Sequence, residues 1–279
     1  MKKGINIWSF PAASLQDTFA LAKDAGFEGV EVALNASGEI NPTSTEAELL
    51  QVKQMAKDHG LELYSLVCGM CWDNFLSDTN EANRTKAMDT VKKQLETAAT
   101  LGCESILVLP GCVNAEFAAP GYMADYVTCY DTALESVNKL KETAEQYKVE
   151  IALENVWNKF LLSPVEMRDF IDKVNSPYVG SYLDVGNTLA NGYPEHWIRA
   201  LGNRIKKVHF KDYRVAAGGL HGFVDLLAGD VNYPAVMAAL ADIGYDGWVS
   251  AEMIPGYTHY PDTLIYNTSR AMDRILGRD

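Results

Sequence analysis

The sequence predicts an α/β protein that folds as a single (β/α)8 TIM barrel over residues 1–279. Three observations predict this fold: eight short apolar segments, an amphipathic segment after each of them, and no linker that interrupts the alternation. Alternating strands and helices indicate a parallel sheet, and eight such units in about this length close into a barrel. An open doubly wound sheet would show a glycine-rich loop after its first strand, where this chain has SFPAAS.

Eight short apolar segments are the predicted strands, because each combines β-branched or aromatic residues with flanking turn signals. The first, GINIW, ends before Pro11, and the second, FEGVEVAL, places Glu31 on the face opposite Val30 and Val32. The last four are VEIALEN, VGSYLD, RIKKVHF and GWVSAE. In chain order, the predicted strands cover residues 4–8, 27–34, 61–68, 104–110, 149–155, 179–184, 204–210 and 247–252.

The predicted helices fill the intervals after the strands. Ser14 is the expected N-cap of the first helix, and Gly26 and Gly60 follow the first two helices as C-terminal glycines. Pro164 and Pro234 occupy the first turns of the fifth and seventh helices, where a missing N–H does no harm. In chain order, the predicted helices cover residues 14–26, 45–60, 81–102, 122–147, 163–174, 194–201, 232–244 and 261–276.

Composition and charge narrow the class of function. The net charge of −13 disfavours nucleic acid as a partner, because phosphate binding needs a basic face. No apolar run approaches the roughly 18 residues of a membrane span, and the MKKGINIWSF start indicates a strand rather than a signal peptide. Five cysteines at scattered spacings indicate reduced thiols and a cytoplasmic setting. We therefore expect a small-molecule partner, and a homo-oligomer is left open.

Four predicted strand ends carry residues that an apolar core would not choose. They are Glu154, Asp184, His209 and Glu252 on the last four strands, and strand alternation turns all four toward the barrel axis. The carboxyl ends of barrel strands meet at one face, so we expect one divalent metal site there. Three carboxylates and an imidazole suit Mn²⁺, with Mg²⁺, Co²⁺ and Zn²⁺ as alternatives, and fit a closed structural zinc site poorly.

The predicted site suggests proton transfer next to a carbonyl. Glu154 and Glu252 come from strands that flank the bound ligand, so they could reach opposite faces of one carbon. One carboxylate would remove a proton and the other would return one. The metal would stabilise the enediolate formed between the two steps.

Residues just past these strand ends are the predicted substrate contacts. Lys211, Arg214 and Lys159 could contact a hydroxyl or phosphate, or could be solvated loop charges. Trp157 could form an apolar wall or cover the barrel rim, and His221 lies in the glycine-rich segment GGLHGF. One layer lower, an inward-facing pair of Glu150 and Lys207 is expected to form a structural ion pair.

The motifs LEN, LDVGN, VHFKD and AEM, in this order, resemble the xylose-isomerase-like sugar (phosphate) isomerase/epimerase superfamily, nearest to its ketose and ketose-phosphate 3-epimerases. The segment GDVNYPAVMAALADIGYDGW is similar to the stretch that leads into that family's last strand. The resemblance implies a divalent metal on the four strand-end residues, with the two glutamates as the acid/base pair.

Within that superfamily, 3-epimerases of free sugars have a histidine where this chain has Asn187 and a glutamate where it has Phe160. The Asp-x-Gly-Asn form instead resembles the pentulose- and hexulose-phosphate 3-epimerases. Asn187 is therefore included among the predicted substrate-binding positions.

The leading hypothesis is a metal-dependent sugar or sugar-phosphate isomerase or epimerase of the ketose 3-epimerase type. A metal-dependent lyase or dehydratase acting on a keto-sugar or keto-glycoside is the alternative, since it needs the same chemistry and differs in what leaves. A DNA-repair role is disfavoured, because the abasic-site endonucleases that resemble this superfamily use many histidines and a basic surface, whereas this chain has five histidines and a net charge of −13. A non-catalytic sugar-binding protein is the remaining hypothesis.

Overall fold

The computed structural model describes residues 1–278, in which eight parallel strands close into a barrel with eight α-helices around it. The first and last barrel strands pair with each other, Lys2 opposite Trp248, and so complete the ring. The predicted (β/α)8 barrel is confirmed. Its strands are β1 (Lys2–Asn6), β2 (Gly29–Leu34), β3 (Glu62–Cys68), β4 (Ser105–Val108), β5 (Glu150–Glu154), β6 (Val179–Asp184), β7 (Ile205–Phe210) and β10 (Trp248–Ala251), with β8 (Asp212–Tyr213) and β9 (Phe223–Val224) forming a separate antiparallel hairpin.

The helices form the outer layer, and two of the element ends that differ from the prediction have a clear local cause. The first strand ends at Asn6 rather than residue 8, because the Asn6 side chain accepts a hydrogen bond from the Trp8 N–H (2.8 Å) and starts a 3₁₀ turn. The fourth helix begins at Tyr126 rather than residue 122, because the Asp125 carboxylate caps the Thr128 N–H (2.9 Å). The helices are α1 (Leu15–Asp24), α2 (Glu46–Asp58), α3 (Glu81–Leu101), α4 (Tyr126–Tyr147), α5 (Pro164–Val174), α6 (Pro194–Leu201), α7 (Tyr233–Asp242) and α8 (Pro261–Leu276).

Two apolar layers hold the barrel together, one between strands and helices and one inside the ring. Ile151 and Leu153 of β5 are fully buried in the outer layer. Ala152 of the same strand packs in the inner layer with Leu107 and Tyr182. Strand alternation therefore works as expected in β5, and the residue after Leu153 points to the axis at the carboxyl end of the strand. Within residues 1–278, none of the helices combines the length and apolarity needed to cross a bilayer.

Glu150 and Lys207 do not form the ion pair that the sequence predicts. Lys207 binds Glu104 instead (Nζ to Oε2, 2.8 Å), and Glu150 binds Lys206 (2.8 Å). The pairing of β6 with β7 shifts register at this point: Ser181 lies opposite Ile205 and Tyr182 opposite Lys207, so Lys206 is an extra residue on β7. Sequence alternation alone does not predict such a shift.

A close contact at the first strand gives a test of packing. The Tyr64 ring stacks on Trp248 (centroids 4.1 Å apart, 9° between planes), and a Cβ on Gly4 would overlap the Tyr64 hydroxyl and lie 2.7 Å from its Cε1. We expect Gly4→Ala to lower the free energy of unfolding by about 1–3 kcal/mol, since a buried aromatic pair must move. Urea unfolding measures this, with Gly256→Ala as control because nothing lies within 4 Å there. Equal stability of both variants would contradict the packing described.

Candidate metal centre

Four side chains meet at the carboxyl end of the barrel. Glu154 and Asp184 are the last residues of β5 and β6, His209 is the penultimate residue of β7, and Glu252 follows β10. The strand register sets Asp184 opposite His209, and all four side chains are buried. One ligand atom from each residue lies within 4.8 Å of every other, so the group could hold a divalent metal ion.

The imidazole of His209 is oriented by the buried carboxylate of Glu31 on β2, which is separated from β7 around the ring by β1 and β10. His209 Nε2 lies 2.7 Å from Oε2 of Glu31, while Nδ1 faces Glu154 Oε1 at 3.4 Å and Glu252 Oε2 at 3.9 Å. With the Nε2 proton donated to Glu31, Nδ1 carries the free lone pair that a metal requires. Carboxylate partners of this kind fix the tautomer and raise the basicity of metal-binding histidines.

Glu31 is a site residue that the sequence pattern does not predict. It is fully buried, accepts a hydrogen bond from the Tyr182 hydroxyl (2.6 Å) and another from the Asn6 side-chain amide (2.7 Å), and binds His209. A buried carboxylate with three hydrogen-bonding partners is held in one place. The available signal was an acid inside an otherwise apolar strand, on the inward face.

Asp184 is held by two asparagines. The Asn187 N–H donates to Oδ1 of Asp184 (2.7 Å), and the Asn155 side chain bridges both backbone groups of Asp184 (2.9 and 2.8 Å). The Asn187 amide in turn donates to the Asn155 carbonyl (3.0 Å), which closes the network. This arrangement leaves the second carboxylate oxygen, Oδ2, without a hydrogen bond among residues 1–278 and 3.6 Å from the Lys211 ammonium.

The residues present fit a divalent cation. Asp184 Oδ2 and His209 Nδ1 are buried without a hydrogen-bond partner among residues 1–278, although buried polar atoms are normally paired. Burial raises the pKa of Glu154 to about 7. Burial lowers the pKa of His209, but the charges of Glu31 and Glu252 outweigh it and raise that pKa well above its ordinary value. A field that favours extra positive charge on an imidazole also favours a metal cation.

Lys211 lies at the edge of the four-residue group. Its ammonium contacts Oε2 of Glu252 and lies 3.6 Å from Oδ2 of Asp184 and 4.8 Å from the centre of the Phe223 ring. Burial lowers the pKa of Lys211, yet the carboxylates raise it above its usual value, so the side chain stays charged. The interpretation of Lys211 as a solvated loop charge is therefore wrong.

A cavity of about 640 Å³, which we call the metal-side cavity, opens beside the four residues. Its wall includes Glu154, Glu252 and four of the predicted substrate-binding residues: Trp157, Asn187, Lys211 and His221. Aromatic rings cover much of the remaining wall and would suit the C–H faces of a sugar ring. These rings belong to Trp8, Trp72, Phe117 and Phe223.

Two predicted substrate contacts lie away from this cavity. The Arg214 guanidinium donates to the Ala228 carbonyl (2.7 Å), because the buried Asp212 carboxylate binds four backbone N–H groups (2.8–3.1 Å) and folds the loop back on itself. The Lys159 ammonium donates to Oδ1 of Asn114 (2.9 Å) and is exposed. Neither residue lines the metal-side cavity, so the prediction that they contact a ligand bound there is wrong.

A family profile described as the xylose isomerase-like TIM barrel matches residues 19–272. The chain belongs to this family. The match spans all four candidate ligands and confirms the resemblance indicated by LEN, LDVGN, VHFKD and AEM. A relative in Haemophilus influenzae, provisionally named an L-ribulose-5-phosphate 3-epimerase, is 23% identical to this family member over 245 residues, covering 85% of this chain and 83% of the relative.

Solved structures of the same barrel superpose over nearly the whole chain. D-psicose 3-epimerase from Clostridium cellulolyticum gives a TM-score of 0.80 at 20% identity, covering 99% of both chains. IolI with a zinc atom gives 0.82 at 18%, covering 100% of this chain and 99% of IolI. The 3-keto-D-glucoside 4-epimerase from E. coli gives 0.78 at 18%, covering 99% of both. At these identities the likeness establishes the fold.

Proposed function

We propose that this member of the family is a divalent-metal-dependent sugar or sugar-phosphate epimerase or isomerase of the ketose 3-epimerase type. The observation that carries the proposal is the convergence of Glu154, Asp184, His209 and Glu252, whose ligand atoms lie within 4.8 Å of one another. Among residues 1–278, Asp184 Oδ2 and His209 Nδ1 have no hydrogen-bond partner. We propose Mn²⁺ as the metal from the oxygen-rich donor set. Zn²⁺ is the first alternative, because the structurally similar IolI holds a zinc atom.

Glu154 and Glu252 are the proposed acid/base pair. They stand at the carboxyl ends of β5 and β10, which are separated around the ring by β6 and β7, so their carboxylates approach the metal-side cavity from different sides. One carboxylate takes the proton from the carbon next to the carbonyl, and the other returns a proton to the opposite face. A bound divalent cation would supply Lewis acidity that stabilises negative charge on the substrate oxygens.

Four residues are the proposed substrate contacts. Trp157 offers an aromatic wall, Asn187 and His221 offer hydrogen-bonding groups at the cavity surface, and Lys211 offers a buried ammonium beside Glu252. Because Lys211 stays charged and contacts a proposed base, we assign it to orienting Glu252 and to binding a substrate hydroxyl. Lys159 and Arg214 are not assigned to substrate.

Proton exchange in D₂O tests the proposed function. The Mn²⁺-loaded protein is incubated with a panel of free and phosphorylated ketoses, and NMR follows loss of the hydrogen on the carbon next to the carbonyl. We expect exchange with at least one ketose, its loss on treatment with EDTA, and its return on addition of Mn²⁺. If no ketose of the panel shows exchange, the proposal is refuted.

The same spectra test the lyase alternative, which none of the compared proteins supports, because only a lyase releases a smaller product.

The carboxylate behind His209 gives a further expected result. Glu31→Gln keeps the size of the side chain but removes the charge that holds the Nε2 proton, so His209 becomes a weaker and less ordered ligand. We expect Mn²⁺ affinity to fall by about 10–100-fold, as for other partners of metal-binding histidines. Calorimetric titration measures it, and Glu142→Gln on the exposed face of α4 is the matched control. Unchanged affinity in a folded Glu31→Gln protein would remove Glu31 from the metal centre.

We also propose a cytoplasmic setting and a small-molecule partner. All five cysteines are free thiols, which suits a reducing compartment. The net charge of −13 supports neither nucleic acid nor an anionic membrane surface as a partner. A homo-oligomer is compatible with these observations.

A further inference from the structure

A second cavity adjoins the metal-side cavity, and Trp157 stands between them. We call it the side cavity; its volume is about 380 Å³, and it is lined by residues 114–117, 155–157, 159–162 and 187–191 in part, with Trp197 and Leu220. Both cavities share part of one wall, formed by Phe117, Val156, Trp157, Asn187 and Leu220. The two cavities are therefore direct neighbours that meet at Trp157.

The dividing wall is held firmly in place. The Trp157 indole N–H donates to the Asn187 carbonyl (3.1 Å), and its ring packs against Tyr213 and Phe223 with centroids 5.0 and 5.1 Å away. The next residue, Asn158, is fully buried and donates to the Gly111 carbonyl (2.6 Å). These contacts fix the shape of both cavities before a ligand arrives, which is how selective sites reduce the cost of binding.

The backbone beside Trp157 is strained to make this wall. Lys159 and Leu161 have φ of 56° and 52°, in the left-handed region that residues with a Cβ adopt at an energetic cost. The turn they form places Phe160, Leu161 and Leu162 along the side cavity. Strain of this kind is concentrated at ligand sites, and here it builds an apolar wall.

The lining of the side cavity does not suit a phosphate. Its basic residue is Lys159, whose ammonium already donates to Asn114, and Glu116 lies in the same wall. In the metal-side cavity, Lys211 is paired with Glu252, which leaves His221 as the other basic group of that wall. Phosphate sites instead bring several Arg, Lys or backbone N–H donors to one point. This lining argues against a phosphorylated substrate, although the Asp-x-Gly-Asn form resembles that of the pentulose- and hexulose-phosphate 3-epimerases.

The volume is also large enough for a ligand the size of a substituted sugar. At about 640 Å³ the metal-side cavity alone lies within the roughly 300–1,000 Å³ range of pockets that enclose drug-sized ligands. The side cavity adds a second apolar chamber whose wall carries Phe117, Phe160 and Trp197. Aromatic and aliphatic walls of this kind bind apolar rings.

We infer that the side cavity is a subsite for an aromatic substituent, so that the substrate is an unphosphorylated keto-sugar carrying an apolar aglycone. The sugar lies in the metal-side cavity, and the aglycone passes Trp157 into the side cavity. This inference rests on the proposed function for the reaction itself. The subsite can be tested by binding alone, without turnover.

Two glucosides that differ in the aglycone test the subsite. Phenyl and methyl β-D-glucopyranoside are titrated calorimetrically into the Mn²⁺-loaded protein. We expect the phenyl glucoside to bind about 10–100-fold more tightly, the factor that burial of one aromatic ring supplies. D-fructose and D-fructose 6-phosphate are titrated in parallel, and we expect no gain from the phosphate.

A variant that fills the side cavity separates this effect from general stickiness. Ala190 is exposed and lines the side cavity alone, so Ala190→Phe should abolish the preference for phenyl over methyl and leave binding of the methyl glucoside unchanged. Ala82→Phe, at an exposed position of α3, is the matched control and should keep the preference.

Three outcomes would overturn the subsite: equal binding of the two glucosides, no binding of either, or tenfold tighter binding of the phosphate. Failure of ketose exchange with the phenyl preference intact would instead overturn the proposed function and leave the subsite standing.

Discussion

Replacing Glu252 with glutamine is expected to slow proton exchange from one of two 3-epimeric ketoses by about 10²–10⁴-fold, the usual contribution of a positioned general base. Glutamine keeps the length and one donor oxygen of Glu252 but cannot take up a proton. Because Glu154 approaches from another side of the cavity, the Glu154→Gln variant should slow exchange from the other epimer. NMR in D₂O, started from each epimer separately, measures both rates.

The controls must separate loss of a base from loss of a ligand, since Glu252 is assigned both roles. Bound Mn²⁺ is therefore quantified in each variant, and rates are compared at full metal occupancy. Glu142→Gln, at an exposed position of α4, serves as the neutral control. Unimpaired exchange from both epimers in a fully metallated Glu252→Gln protein would exclude Glu252 as a base.

Asp184→Asn is expected to have the largest effect on metal binding. Asn can still accept the Asn187 N–H at the position of Oδ1, but at Oδ2 it can place an NH₂ group where the metal ligands converge. We expect the Mn²⁺ affinity to fall by more than about 100-fold, since loss of a mere outer-shell partner costs about 10–100-fold. Calorimetric titration measures the affinity, with Asp131→Asn, exposed on α4, as the control.

The metal-free stability of Asp184→Asn provides a second readout. Burial raises the pKa of Asp184, which means that its charge is unfavourable in the folded protein. Removing that charge should leave the metal-free protein at least as stable in urea as the unmodified chain. A stable variant that binds Mn²⁺ normally would show that Asp184 is not a ligand, and a variant that unfolds without metal would point to a structural role.

Much of the barrel was predictable because its elements are short and periodic. Capping residues placed α1 correctly, since the Ser14 hydroxyl accepts the Asp17 N–H (3.1 Å) as expected. The fourth helix, α4, begins four residues later than its apolar pattern predicts, because that pattern continues upstream of Asp125, whose carboxylate caps the helix. The end of a helix depends on one capping side chain, whereas the existence of the helix is predicted from a periodic pattern of many residues.

The site was predictable where strand parity decides and unpredictable where a tertiary contact decides. Parity brought Asp184 and His209 to one face, as the observed register shows. Glu31 lies 178 positions before His209 in the sequence, and the two meet only once the barrel closes. Arg214 lies outside the metal-side cavity because Asp212 fixes the loop that carries Arg214. The Asp212 carboxylate does so by accepting hydrogen bonds from residues up to 19 positions away.

The bond between Glu31 and His209 limits how far the barrel can be divided into modules. A half-barrel fragment starting at residue 149 would contain every candidate metal donor and still lack the strand that anchors the imidazole. In such a fragment the His209 ring could rotate and carry its proton on either nitrogen. All four metal ligands would then be present, but His209 would not be oriented to bind the metal. Splitting the gene at its midpoint should therefore separate the four metal ligands from Glu31, the residue that orients His209.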